Sequence, residues 1–156
     1  MDKNTWDFSG YATKNSLKCT DGRTILKDAF KHQDGQTVPL VWQHLHNEPG
    51  NVLGHAVLEN REDGVYCYGK FNNTDGANYA KECVQHGDIT SLSIYANQLK
   101  EQMKKVIHGD IKEVSLVLAG ANPGAVIDNL SFAHGDDYVL DETEAYIYTG
   151  LEFELA

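Results

Sequence analysis

Bases are scarce in this chain. Only two arginines, Arg23 and Arg61, occur in 156 residues, and 13 Lys and Arg face 23 Asp and Glu for a net charge of −10. A surface so short of cations is poorly suited to gripping a phosphate backbone, so nucleic acid is not an expected partner. Cysteine is equally sparse. Cys19, Cys67 and Cys83 are scattered and odd in number, which gives neither a disulfide framework nor a zinc site and fits a reducing compartment. Cys67, in a strand, and Cys83, on a helix stripe, read as packed thiols. No run approaches the apolar length of a membrane span. The opening MDKNTWDFSG lacks the basic and then apolar segments of a signal peptide.

The shortage of bases is most extreme at the C-terminal end. Residues 135–156 hold seven acids and no Lys or Arg, so residues 1–134 carry a net charge of only −3. This divides the chain into a domain over 1–134 and an acidic tail over 135–156. The tail ends in YIYTGLEFELA, which is rich in β-formers, unlike a purely solvated tail. It is expected to order by packing or strand addition, and it is compatible with the remnant of a longer chain.

What the chain does contain reads mostly as strands. WDFSGYATK at 6–14, TVPLVWQH at 37–44 and KKVIHGDIKEVSLVLAG at 104–120 are strand-like, the last interrupted near Gly109. Pro39 sits where a strand entry or edge tolerates it. Residues 51–71 read as a hairpin turning at Asp63-Gly64. TDGANYAKECVQHG, 74–87, is the clear helix: Thr74 or Asp75 caps it, Tyr79, Cys83 and Val84 make its apolar stripe, and Gly87 stops it. The expected fold is α+β and mainly β, a closed or strongly curved, barrel-like antiparallel sheet with one or two flanking helices, because open edges over six or more strands would be exposed.

The stretch GDITSLSIYA, 87–96, raises a chemical question. Side chains two apart share a face of a strand, so Leu92, Ile94 and Ala96 point one way while Ser91, Ser93, Tyr95 and Asn97 point the other. In EVSLVLAG, Val114, Leu116 and Leu118 alternate with Glu113, Ser115 and Val117. His44 ends an apolar strand. A hydroxyl, an imidazole and a carboxylate are the materials of nucleophilic catalysis, provided that they meet. His44, His46 and His55 lack an adjoining acid that would make them a metal site. Ser91 and Ser115 read as groove-lining hydroxyls.

Taken together, VPLVWQH, SLSIYA and EVSLVLAGANPGA resemble, in this order, the prohead proteases of tailed bacteriophages, capsid-maturation serine proteases similar in fold to herpesvirus assemblin. The resemblance spans roughly residues 8–130, and DGRTILKDAF is similar to the family's entry segment. It implies His44 as the catalytic histidine, Ser93 as the nucleophile and Glu113 as the third member. His46 competes with His44, because the histidine block HLHNEPGNVLGH is longer than in many relatives. No arginine follows Arg61 to support an oxyanion loop as in assemblin, so the backbone amides at Gly120, Ala121 and Asn122 are the candidate donors. No metal or cofactor is needed. The implied function is a serine endopeptidase that processes scaffold and major capsid proteins, and itself, inside the immature capsid in the bacterial cytoplasm. The reading leaves room for a homo-oligomer. A catalytically silent assembly protein that binds scaffold or capsid chains is the alternative.

Overall fold

The computed structural model describes residues 6–130. The acidic tail, with the docking expected of it, lies outside them. Eight strands and one helix follow in the order β1 (Phe8–Lys14), β2 (Thr24–Ile25), β3 (Thr37–Trp42), β4 (Val52–Arg61), β5 (Gly64–Phe71), α1 (Asp75–Gln85), β6 (Ser91–Gln102), β7 (Lys105–Val117) and β8 (Ile127–Leu130). The sheet runs β2-β7-β3-β4-β5-β1-β8, with β6 joined to β7.

Hairpins alone would make this sheet antiparallel, as expected from the sequence, but it is mixed. β3 lies parallel to β7, pairing Leu40, Val41 and Trp42 with Val114, Ser115 and Leu116, and β2 is also parallel to β7. Long intervening chain permits the parallel pairing. Nor is the sheet a closed or strongly curled barrel. β8 and β6 approach through an isolated bridge, Ser91 with Val126, where a barrel would need a continuous ladder. No ladder joins β1 to β6; two backbone hydrogen bonds, from Leu92 N–H to the Ala125 carbonyl and from Ile127 N–H to the Thr90 carbonyl, tie the start of β6 to the segment entering β8.

Local chemistry explains most element boundaries. The β4–β5 hairpin pairs Arg61 with Gly64, so its loop is Glu62-Asp63, one residue earlier than the Asp63-Gly64 turn expected from the sequence. Gly64 is required by β1 instead: a Cβ there would lie 2.3 Å from the Thr13 carbonyl oxygen. Pro39 precedes the part of β3 that pairs with β7, so its missing N–H breaks no bond of that ladder. Thr74 caps α1 by accepting the Ala77 N–H at 3.2 Å, and Gly87, at φ 79°, follows its end. The buried stripe of α1 is Ala77, Ala80 and Val84, whereas Tyr79, expected in that stripe, is 73% exposed.

β7 runs unbroken through Gly109, and the register irregularities belong to its pairing with β6. One falls between Asn97 and Lys100, where β6 carries an extra residue and Gln98 takes a φ of 52°. Met103 and Lys104 form the β6–β7 turn with φ of 52° and 66°, a left-handed pair without glycine or asparagine. The core gathers Phe8, Leu40, Leu53, Leu58, Leu92, Ile111, Val114 and Leu116, each at most 2% exposed. Leu118, expected in this apolar row, is 59% exposed, since it follows the end of β7.

Candidate active site

β7 is the middle strand of the site, with β3 on one side and β6 on the other. Ser93 on β6 stands directly opposite Ser115 on β7. Glu113, two residues from Ser115, shares its face of the strand. β3 delivers its chain end beside them, and His44 follows two residues after Trp42. Three strands thus converge on a small volume, although their residues are far apart in sequence.

The sharp exit from β3 is made by two consecutive left-handed residues, Gln43 at φ 53° and His44 at φ 59°. Non-glycine residues adopt this region at a cost on the order of 1–3 kcal/mol each, and such conformations gather at functional sites. Ser115 holds the exit in place: its Oγ accepts the His44 backbone N–H at 3.0 Å and donates to Glu113 Oε1 at 2.6 Å. It is completely buried, so it braces the site from beneath rather than lining a groove as the sequence suggested. Ser91 is also buried, at 3% exposure.

The imidazole of His44 joins the other two groups. Nδ1 lies 2.5 Å from Glu113 Oε1, and Nε2 lies 2.8 Å from Ser93 Oγ. With Glu113 ionised, Nδ1–H donates to the carboxylate, which leaves Nε2 to accept the Ser93 hydroxyl proton. His46 does not displace His44. Its Nδ1 meets the other carboxylate oxygen, Glu113 Oε2, at 2.7 Å, and its ring packs on Tyr95 with centroids 5.1 Å apart. Burial alone would raise the Glu113 carboxyl, but hydrogen bonds from His44, Ser115 and His46 outweigh it and hold the group below its usual range.

The remaining candidates divide. Ala121 and Asn122 line the cavity that Ser93 also lines, whereas Gly120 packs against the Leu92 carbonyl. The Asn122 side chain is committed to its own loop, donating to Thr13 Oγ1 and the Lys14 carbonyl and accepting the Gly124 N–H. His55 lies on β4, away from the other two histidines of its block. Cys67 is fully buried, and burial pushes its thiol up to about 12, far from a reactive thiolate. Sequence reasoning missed the bracing role of Ser115. The available signal was its i+2 spacing from Glu113.

The fold is similar to that of solved herpesvirus proteases. A KSHV protease in complex with a hexapeptide phosphonate inhibitor is 13% identical, with a TM-score of 0.57 over 95% of this chain and 75% of its own. A second KSHV protease structure, also 13% identical, aligns at a TM-score of 0.51 over 95% and 72% of the two chains. No curated protein sequence matches the chain significantly. Residues 1–137 match the caudovirus prohead serine proteases, and the chain belongs to that family.

Proposed function

We propose that this protein is the endopeptidase of phage head maturation and that Ser93, His44 and Glu113 carry its chemistry. The observation that carries this reading is the unbroken chain from Ser93 Oγ through both nitrogens of His44 to a buried, ionised Glu113. Ser93 Oγ attacks a peptide carbonyl carbon while His44 Nε2 takes its proton. The imidazolium then gives that proton to the leaving amine, the C–N bond breaks, and an acyl-enzyme ester remains. Water, deprotonated by the same nitrogen, hydrolyses the ester and restores Ser93. Glu113 keeps the proton on Nδ1 and offsets the positive charge on His44 in each transition state. The amides of the Gly120-Ala121-Asn122 segment are the proposed oxyanion donors.

The substrates of this reading are scaffold segments, capsid pro-sequences and the protease itself, cut inside the immature capsid in the bacterial cytoplasm. Among the described residues no helix is long and apolar enough to cross a membrane. The test is co-expression with the phage's own scaffold and capsid proteins, read by intact mass. Ser93→Ala should abolish processing, whereas Ser91→Ala should retain substantial activity. Full processing by Ser93→Ala would overturn Ser93 as the nucleophile, and no processing by the parent protein would return it to a silent assembly role.

A further inference from the structure

The unzipped seam between β1 and β6 encloses a cavity of about 100 Å³, and Ser93 itself lines it. Its inner wall is apolar: Ile25, Phe30, Ala96, Leu99 and Val106. Ile25, Phe30 and Val106 are buried core residues, and Ala96 and Leu99 pack against that core. The irregular register of β6 fits this arrangement, since bulges re-aim side chains.

The polar groups on the wall are already engaged. Asn122 donates to Thr13 and to the Lys14 carbonyl. Arg23 is held by Asp21 at 2.7 Å and by Glu101 at 2.9 Å, at a solvent-exposed rim. A charged side chain entering here would lose its water and gain a partner only by breaking that pairing. An apolar side chain would lose nothing and bury its surface. Apolar cavities of about 150 Å³, measured with a water-sized probe, accept benzene, so this one suits a single aliphatic side chain.

We propose that this cavity is the pocket for the substrate residue whose carbonyl is attacked, and that it selects a medium-sized aliphatic side chain of the leucine or methionine class. The inference rests on Ser93 being the nucleophile. That residue's Cα is bonded to the attacked carbonyl carbon, so its side chain lies close to Ser93, one of the residues that line the cavity.

The test digests a proteome-derived peptide library with the full chain and reads the residue preceding each cut by mass spectrometry. Diisopropyl fluorophosphate, which carries no peptide side chain, labels the nucleophile separately. The expected result is an adduct on Ser93 and at least about tenfold preference for Leu or Met over Gly, Glu and Lys before the cut, the scale of discrimination that an apolar pocket supplies. Ala96→Leu should shift that preference to Ala and Gly; Leu99→Ala should admit Phe and serves if the first variant does not fold. An adduct on Ser93 without aliphatic preference overturns the pocket and leaves the proposed function standing. So does a folded Ala96→Leu variant with an unchanged profile. Absence of both adduct and cleavage overturns the two together.

Discussion

The two sides of β6 are built on opposite principles. Toward β7, Ser93 is paired in a ladder, and the polar groups of the site are matched: Ser115 to His44 and Glu113, His44 to Ser93, and His46 to Glu113. Toward β1 the ladder is absent, and apolar side chains border open space. The paired side fixes reacting atoms to within hydrogen-bond tolerance. The unpaired side leaves room for something from outside. A closed barrel would have had the first without the second.

If this division is right, damage on the two sides should differ in kind. The largest effect is expected from Glu113→Gln. The shape is kept while the charge that stabilises His44 as imidazolium is lost, so kcat should fall by up to ~10⁴ with the fold intact. A fall below about threefold would make Glu113 a structural residue. Ser115→Ala should come next. It leaves the His44 N–H without its acceptor and loosens the left-handed exit from β3, for a loss of about 10² in kcat and about 1–3 kcal/mol in stability. Steady-state kinetics beside urea unfolding separates the two effects; an unchanged kcat would show that Ser115 only packs.

His46→Ala should cost less than about tenfold, since Glu113 keeps its bonds to His44 and Ser115. A larger loss would make His46 a member of the chain. The smallest difference is expected in acid. Because the carboxyl of Glu113 is depressed on folding, its ionisation stabilises the fold fully above the ordinary value of 4.5 and ceases to do so as pH falls through the lower folded value. The gap in urea midpoint between the protein and Glu113→Gln should shrink as pH falls below 4.5. A gap that widens in acid would reverse the assigned direction.

The sequence spoke more clearly about faces than about neighbours. Alternation put Ser93 and Ser91 on one side of β6, and Glu113 with Ser115 on one side of β7, because a period of two is local. It did not reveal that β3 runs parallel to β7, which depends on pairing between residues about 70 positions apart. Hence the contacts of His44 and the brace at Ser115 were illegible, although resemblance had nominated His44, Ser93 and Glu113. The Asp63-Gly64 signal marked its hairpin within one residue. Met103-Lys104 gave no such signal, because neither is a residue that favours left-handed backbone. The expected barrel failed at one seam, where no ladder joins β6 to β1 and a cavity lies between them.

The central claim is that Glu113 acts through His44 upon Ser93. The direct test is the rate at which Ser93 reacts with a fluorophosphonate, followed by intact mass, in four proteins: the parent, His44→Ala, Glu113→Gln and the double variant. Residues acting as one unit are strongly non-additive. With His44 present, Glu113→Gln should slow labelling by up to ~10⁴. Once His44 is gone, the same change should alter the rate by no more than about threefold. Equal slowing in both backgrounds would contradict the account, because Glu113 would then be acting without the histidine.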